Sequence, residues 1–211
     1  NQKREVSFSV PEAYPARPLT IAGGGCCGTG VIAAADDRGI DTLCIDNAAA
    51  LGGTNSVGGV CNLWYGRKTK AFADNFTKFG AENDVNNAPA FFDFAHKSKN
   101  ISLLLLTAIC GTEVDGRSIK GLYICTPTGL AKIAVDKCID TTGDGSLAGW
   151  SGCEYHFGNT RDEMTLWASL GIYAGGASRR GYYEAWRQFL SPCDERDPID
   201  TARIVQSMRR F

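Results

Sequence analysis

The feature that most constrains the fold is a group of three closely spaced glycines near the N-terminus. Gly23, Gly25 and Gly28 have the spacing G-x-G-x-x-G and lie between an apolar run at 19–22 and a helix-like stretch at 29–38. In such a pattern the first glycine allows a tight turn and the second lets the main chain approach a ligand. The third lets helix and strand pack closely. The pattern therefore predicts a strand, a turn and a helix, in that order.

A second apolar run, 42–45, completes the pattern and ends at Asp46, eighteen residues after Gly28. This order predicts a βαβ unit, in which the N-terminus of the helix attracts a diphosphate and the acid accepts hydrogen bonds from a ribose. One G-x-G-x-x-G is a weak signal among 25 glycines, so the prediction depends on the complete order. It favours a nucleotide-binding turn, and the alternative is a glycine-rich turn without a ligand.

Composition excludes several classes of partner. The 211 residues allow one well-formed core, or one core and a small second module. The net charge is −1 and charges of both signs are interspersed, so we expect no nucleic-acid partner. The longest apolar run, 101–110, is too short to cross a bilayer, so we expect no membrane partner.

The nine cysteines do not form the pattern of a disulfide framework. Cys44, Cys110, Cys125 and Cys138 lie in apolar, strand-like runs, where a thiol packs as a small hydrophobe. Their number is odd, and no spacing typical of a zinc site is present. We therefore expect no metal, and a reducing compartment such as the cytoplasm is favoured.

The middle of the chain predicts an antiparallel meander followed by one more strand. The run 101–107 is apolar enough for a strand buried on both faces. Turn residues at Asp115-Gly116 and at 127–129 then separate three strand-like segments, 108–114, 118–126 and 131–135. A last strand, 138–141, leads into Thr142-Gly143-Asp144-Gly145, and the carboxyl ends of parallel strands are where open α/β sheets bind ligands.

These elements predict an α/β fold with two regions. Residues 1–150 are expected to form a dinucleotide-binding domain with a parallel sheet and a β-meander at about 108–135. Amphipathic stretches at 181–190 and 198–210 predict helices, so residues 151–211 are expected to form a mainly helical substrate or cap region.

Three motifs, taken in order, resemble a known family. They are IAGGGCCGTG with its Asp46, LGGTNSVGGVCNLWYG, and CIDTTGDGSLAG. Together they are similar to motifs of the FAD-dependent oxidoreductases of the glutathione-reductase-like superfamily, and the similarity covers most of residues 4–170. The resemblance implies a Rossmann-like domain, FAD as the cofactor, and an enzyme that transfers a hydride from a small organic substrate to the flavin.

The resemblance also implies which residues contact the cofactor. The glycine turn would hold the pyrophosphate, and the acid would hold the adenosine ribose. The LGGT loop would lie near the pyrophosphate and the flavin, and the TGDG loop would lie at the edge that faces the cofactor. The implied cofactor-binding residues are Gly23, Gly25, Cys26, Cys27, Gly28, Asp46, Asn47, Gly52, Gly53, Thr54, Gly58, Thr142, Gly143 and Asp144.

The chain departs from the family at two positions in these motifs. Asp46 stands where the family usually has glutamate, and Cys26-Cys27 replaces the usual Pro-Ala of the phosphate turn. A helix N-terminus lowers a thiol's pKa, so the two cysteines are candidates for a redox-active pair. A disulfide between neighbours is strained, and packing in a turn that needs small side chains is the favoured interpretation.

Three questions stay open at the level of sequence. In this family a later Gly-Asp segment closes the flavin site, and no such segment follows Ser146. The chain is therefore predicted to be a fragment or one half of a split enzyme. A homo-oligomer or a second chain would then complete the flavin site. An NAD(P)-dependent dehydrogenase and a non-catalytic nucleotide-binding subunit are the alternative functions. His96 and His156 are the only histidines, and His156 is the better candidate for a catalytic base, against a structural role.

Overall fold

The computed structural model describes residues 10–11, 14–60, 87–165 and 199. The chain separates into two units, residues 1–167 and 168–211, and the elements below belong to the first. Its helices are α1 (Cys26–Asp36), α2 (Ala88–Lys97) and α3 (Ser146–Trp150). Its strands are β1 (Leu19–Ala22), β2 (Thr42–Ile45), β3 (Ile101–Leu104), β4 (Ala108–Asp115), β5 (Ser118–Thr126), β6 (Gly129–Ala134) and β7 (Cys138–Asp140).

Four of these strands form a parallel sheet in the order β3-β2-β1-β7. Leu19 pairs with Thr42 and Ala22 with Ile45, so β1 and β2 end at the same edge. The predictions of strands at 19–22 and 42–45 are confirmed at both ends. The carboxyl ends of β1, β2 and β7 lie side by side, because parallel strands end at one edge of their sheet.

Helix α1 begins three residues earlier than the sequence predicts. Gly25 is its N-cap, with φ −68° and ψ −161°, so the helical conformation starts at Cys26 rather than at residue 29. The helix ends at Asp36, and Gly39 with φ +62° turns the chain back toward β2. The two cysteines therefore belong to the first turn of the helix.

The prediction of a long strand at 101–107, buried on both faces, is wrong. β3 ends at Leu104 and is half-buried beyond Ile101. It is the outermost of the described strands on its side of the sheet, so β2 is its one neighbour there. Leu106 adopts φ +53°, a conformation that no β-strand continues.

The predicted meander is confirmed as a three-stranded antiparallel sheet in the order β4-β5-β6. Gly116 has φ +60° in the tight turn between β4 and β5. An ion pair between Glu113 and Lys132 joins the outer strands across the middle one. It passes over Gly121, where an added Cβ would lie 2.9 Å from Lys132 Cε.

Two hydrophobic clusters hold the layers together. One lies between α1, α2 and the parallel sheet and includes Ile21, Ile32, Cys44 and Phe91. The other lies between the two sheets and consists of Ala22, Leu43, Ile45, Leu122, Ile124, Ala131, Ile133, Val135 and Leu147. Successive residues of β1 and β2 alternate between the clusters, as the period of a strand requires. The observed class is α/β, with the predicted parallel sheet and inserted meander.

Several predictions fall outside the described residues. They are the helices at 181–190 and 198–210, apart from Ile199, and residues 61–66 of the second glycine-rich loop. The division into domains at residue 150 stays a prediction. Within the described ranges, the structure contains no helix that is both long enough and apolar enough to cross a membrane.

Candidate nucleotide-binding site

The turn between β1 and α1 is shaped by its glycines. Gly23 has φ +105°, which a residue with a side chain rarely adopts. A Cβ on Gly28 would lie 2.0 Å from the carbonyl oxygen of Gly23, so only glycine allows the helix to approach the turn this closely. Among the residues that the structure describes, a Cβ on Gly25 would meet nothing within 4 Å. The turn is thus closed on the protein side and open on the other.

The N-terminus of α1 is available to an anion. No side chain caps the helix at Gly25, and its first turn contains no acidic residue. The N–H groups at the start of a helix have no partner within the helix, and its dipole places partial positive charge there. A phosphate is the ligand that such an end favours.

Asp46 follows β2 and is fixed beside this turn. One carboxylate oxygen accepts a hydrogen bond from the N–H of Gly24, and the other accepts one from the N–H of Ala48 at 2.7 Å. The side chain is half-buried. Each carboxylate oxygen has two acceptor positions, so Asp46 can accept further hydrogen bonds from a ligand.

The LGGT loop lies directly against the phosphate turn. The N–H of Gly52 donates to the carbonyl of Gly24 at 2.8 Å, and the Cys26 thiol contacts the Gly52 carbonyl at 3.1 Å. Gly52 and Gly53 both have positive φ, +100° and +51°. A Cβ on Gly53 would lie 3.0 Å from the Cα of Gly25, so the glycines let two main-chain segments approach each other.

The TGDG loop closes the other side of the turn. The hydroxyl of Thr141 donates to the carbonyl of Gly23 at 2.6 Å, which ties the end of β7 to the phosphate turn. The carboxylate of Asp140 accepts hydrogen bonds from the N–H and hydroxyl of Thr142, at 2.9 and 2.8 Å, and from the N–H of Ala148 at 2.8 Å. Burial raises the pKa of Asp140, but these hydrogen bonds outweigh it and hold the pKa below its ordinary value.

These segments enclose a cavity of about 580 Å³. Eleven of the fourteen predicted cofactor-binding residues line it: Gly23, Gly25, Cys26, Cys27, Asp46, Asn47, Gly53, Thr54, Thr142, Gly143 and Asp144. The other three predicted residues, Gly28, Gly52 and Gly58, do not line the cavity. Gly28 and Gly52 have packing positions instead, and a Cβ on Gly58 would lie 2.7 Å from the Cα of Thr54. Contact of these residues with a cofactor stays a prediction.

The histidines and the cysteine pair lie in different surroundings. His156 is exposed and is not one of the cavity-lining residues, so its role as a base stays a prediction. His96 is exposed on α2 and stacks on Phe92. Cys26 and Cys27 are free thiols, and both are exposed and line the cavity. Whether the pair packs in the turn, as favoured, or is redox-active stays a prediction.

Nine further residues, which the sequence motifs did not indicate as cofactor-binding, also line the cavity: Ile45, Ala48, Val57, Thr107, Ala108, Ile109, Thr141, Ser146 and Trp150. Residues 107–109 follow β3, at the same sheet edge as Asp46. Their position after a predicted strand could have indicated that they lie near a ligand, since open α/β sheets bind ligands at the carboxyl ends of their strands. Nothing in the sequence indicated Trp150, because its place depends on how α3 packs against the meander.

The fold and this cavity define a dinucleotide-binding protein of the Rossmann type. The sequence model of the family described as FAD dependent oxidoreductase matches residues 18–209, and the chain belongs to this family. This membership confirms the predicted family and FAD as the cofactor. No curated protein matches the chain in sequence.

Solved structures resemble the chain at low identity. L-proline dehydrogenase from P. horikoshii is 16% identical with a TM-score of 0.41, over 64% of this chain and 24% of its own. THI4 of Thermovibrio ammonificans is 15% identical with a TM-score of 0.48, over 64% of this chain and 61% of its own. L-amino acid deaminase from Proteus myxofaciens is 12% identical with a TM-score of 0.47, over 72% of this chain and 51% of its own. The chain thus spans between 24% and 61% of these three proteins.

Proposed function

We propose that the chain binds FAD in this cavity and is part of an enzyme in which a small organic substrate transfers a hydride to the flavin. One observation carries the proposal. The uncapped N-terminus of α1, the carboxylate of Asp46 and the two glycine loops meet at a single cavity.

The residues present fit the chemistry of a dinucleotide. The two negative charges of a diphosphate match the open end of α1, where Gly25 leaves space and no side chain competes. A ribose needs hydrogen-bond acceptors, and Asp46 offers them within the same cavity. The volume of about 580 Å³ lies within the range of ligand pockets, roughly 300–1,000 Å³.

The positions of these groups give the ligand a direction. Gly25–Cys27 would hold the diphosphate, and Asp46 would hold the adenosine ribose. Thr107–Ile109 would line the adenine side, since the N–H of Thr107 donates to the carbonyl of Asp46 at 3.0 Å and places that wall beside the acid. Gly53 and Thr54 would lie on the flavin side of the diphosphate.

The chain's own residues bind and orient the cofactor. Bound FAD supplies the hydride acceptor, and the protein supplies position and electrostatics. Asp140 keeps the TGDG loop in shape and Thr141 fixes this loop to the phosphate turn, so the chain's own hydrogen bonds hold these two walls of the cavity together.

A binding experiment with two matched glycine variants tests this function. The purified chain is titrated with FAD, with NADH as a parallel ligand, and the same is done for Gly25→Ala and Gly30→Ala. An added Cβ meets nothing within 4 Å at either position. Only Gly25 lines the cavity, so we expect its variant alone to lose affinity for FAD, by about tenfold or more, or ~1.4 kcal/mol.

The stability of each variant controls for misfolding. Replacing glycine by alanine at an N-cap costs less than about 1 kcal/mol, so Gly25→Ala should remain folded. A wild-type chain that does not bind FAD at a 1:1 ratio, or a Gly25→Ala chain that binds it as tightly as the wild type, would contradict the proposal. Preferential binding of NADH would indicate a dehydrogenase of the other cofactor class.

A further inference from the structure

We propose that Trp150 stacks on the adenine ring of the bound dinucleotide and so contributes directly to its affinity. This inference rests on the proposed function, because it requires an adenine in the cavity. It assigns a binding role to a residue outside the three motifs that identify the family.

Trp150 is held at the cavity by hydrogen bonds at both ends of α3. At the start of the helix, the N–H of Ser146 donates to the hydroxyl of Thr142 at 3.0 Å. At its end, the Thr112 hydroxyl on β4 donates to the Trp150 carbonyl at 3.2 Å. Leu147 is buried between these points and anchors the helix in the core between the sheets.

The ring of Trp150 is accessible although its backbone is held. The residue is 48% exposed and lines the cavity. Exposure of this size is more than a tryptophan backbone can present, so the indole itself contributes to the open surface. Tryptophan is usually largely buried, and a half-exposed indole beside a cavity indicates a surface on which a planar ligand can stack.

The position of Trp150 identifies the ligand group that it would meet. Ala108 and Ile109 are apolar neighbours that line the same cavity, and β4 carries them away from Thr107. Thr107 is hydrogen-bonded to the main chain of Asp46, the residue that would hold the ribose. The base attached to that ribose therefore enters a space bounded by apolar residues and an indole, which suits a purine.

The test compares the binding of FAD, ADP and FMN by the full chain and three variants. Trp150→Ala removes the aromatic face, Trp150→Phe keeps a smaller one, and Phe157→Ala alters an aromatic residue that is 74% exposed and does not line the cavity. Stacking of a base on an aromatic side chain predicts a loss of about 5- to 150-fold for Trp150→Ala with FAD and with ADP. FMN, which has no adenine, should lose nothing, and Phe157→Ala should bind like the wild type.

Fluorescence gives a second readout that does not depend on the alanine variant. ADP should quench tryptophan emission of the wild type, and this quenching should disappear in Trp150→Phe, which retains the other three tryptophans. Equal quenching in both proteins, or normal FAD affinity in folded Trp150→Ala, would overturn the role of Trp150 and leave the proposed function intact. A wild-type chain that binds neither FAD nor ADP would overturn the proposed function itself.

Discussion

The closest contact in the phosphate turn gives the sharpest prediction for stability. In Gly28→Ala the new methyl group would lie 2.0 Å from the Gly23 carbonyl oxygen, 3.0 Å from its carbon and 3.3 Å from the Thr141 hydroxyl. Carbon and oxygen in ordinary contact are separated by well over 3 Å, so α1 must move by more than 1 Å relative to β1, or the turn must deform. Two of these three atoms belong to the backbone, which cannot rotate away as a side chain can.

This displacement should be costly. Inserting a methylene into a packed site costs about 1–3 kcal/mol, and a clash with backbone belongs at the upper end, so we expect a loss of about 3 kcal/mol in the free energy of unfolding. Gly30→Ala is the matched control on the same helix, because a Cβ there meets nothing within 4 Å. It should gain roughly 0.5–1 kcal/mol, since alanine favours the helix over glycine.

Urea unfolding of both variants, followed by circular dichroism, measures the difference directly. The two should differ by more than about 3 kcal/mol, with the same dependence on denaturant concentration. A Gly28→Ala chain within 1 kcal/mol of Gly30→Ala would refute the close packing of α1 on the turn, and with it the role given to the third glycine.

Three further predictions concern charge and thiol chemistry. The pKa of Asp140 is lower in the folded chain than its ordinary value of about 3.9, so its carboxylate stabilises the fold above that pH and the contribution is lost as the pH falls through the folded value. Asp140→Asn should therefore lower the unfolding temperature at pH 7 more than at pH 3. An equal decrease in the unfolding temperature at the two pH values would contradict this prediction. Iodoacetamide at pH 8 should alkylate the exposed Cys27 and not Cys44, whose pKa is raised to about 12 by burial and by the charge of Asp46. Saturating FAD should slow the alkylation of Cys27, which mass spectrometry measures. Unchanged labelling of Cys27 would count against a ligand beside it. Gly121→Ala should displace the ion pair that crosses β5 and change the free energy of unfolding by less than about 1 kcal/mol. The stability of the variant should also depend less on salt than that of the wild type between about 0.1 and 1 M NaCl. A variant as salt-sensitive as the wild type would show that the ion pair persists.

The strands and turns that the sequence predicted well are defined by local signals. β1, β2 and β5 have the predicted bounds. Gly23 and Asp46 directly follow the apolar runs of β1 and β2, and β5 lies between turn residues at Asp115-Gly116 and at 127–129. The glycine fingerprint located the phosphate turn for a similar reason. Gly23 and Gly28 each meet a steric requirement that no other residue satisfies, whereas Gly25 leaves space on the open side of the turn.

Features that depend on tertiary neighbours were not predictable in this way. The apolar letters of β3 continue through Leu105 and Leu106, but the strand ends at Leu104, where its pairing ends. The N–H of Leu106 donates instead to the Ala48 carbonyl, in the loop after β2. The apolar residues alone therefore do not predict where the pairing of a strand with its neighbour ends.

The residues of the candidate site also differ in whether the sequence could predict them. Motif residues such as Asp46 and Thr142 were identified because their order along the chain implies a shared sheet edge. Trp150 was missed because a five-residue helix and one hydrogen bond from Thr112 bring it to the cavity. Gly52 has φ +100°, and an added Cβ there would lie 2.6 Å from the Phe91 ring; its contact with a cofactor stays a prediction.

A crystal structure of the chain with FAD would show directly where the cofactor binds. We expect diphosphate density at the N-terminus of α1, beside Gly25, with the adenosine ribose within hydrogen-bond distance of the Asp46 carboxylate. Density for FAD elsewhere on the chain, or a ribose turned away from Asp46 in an otherwise occupied cavity, would contradict it.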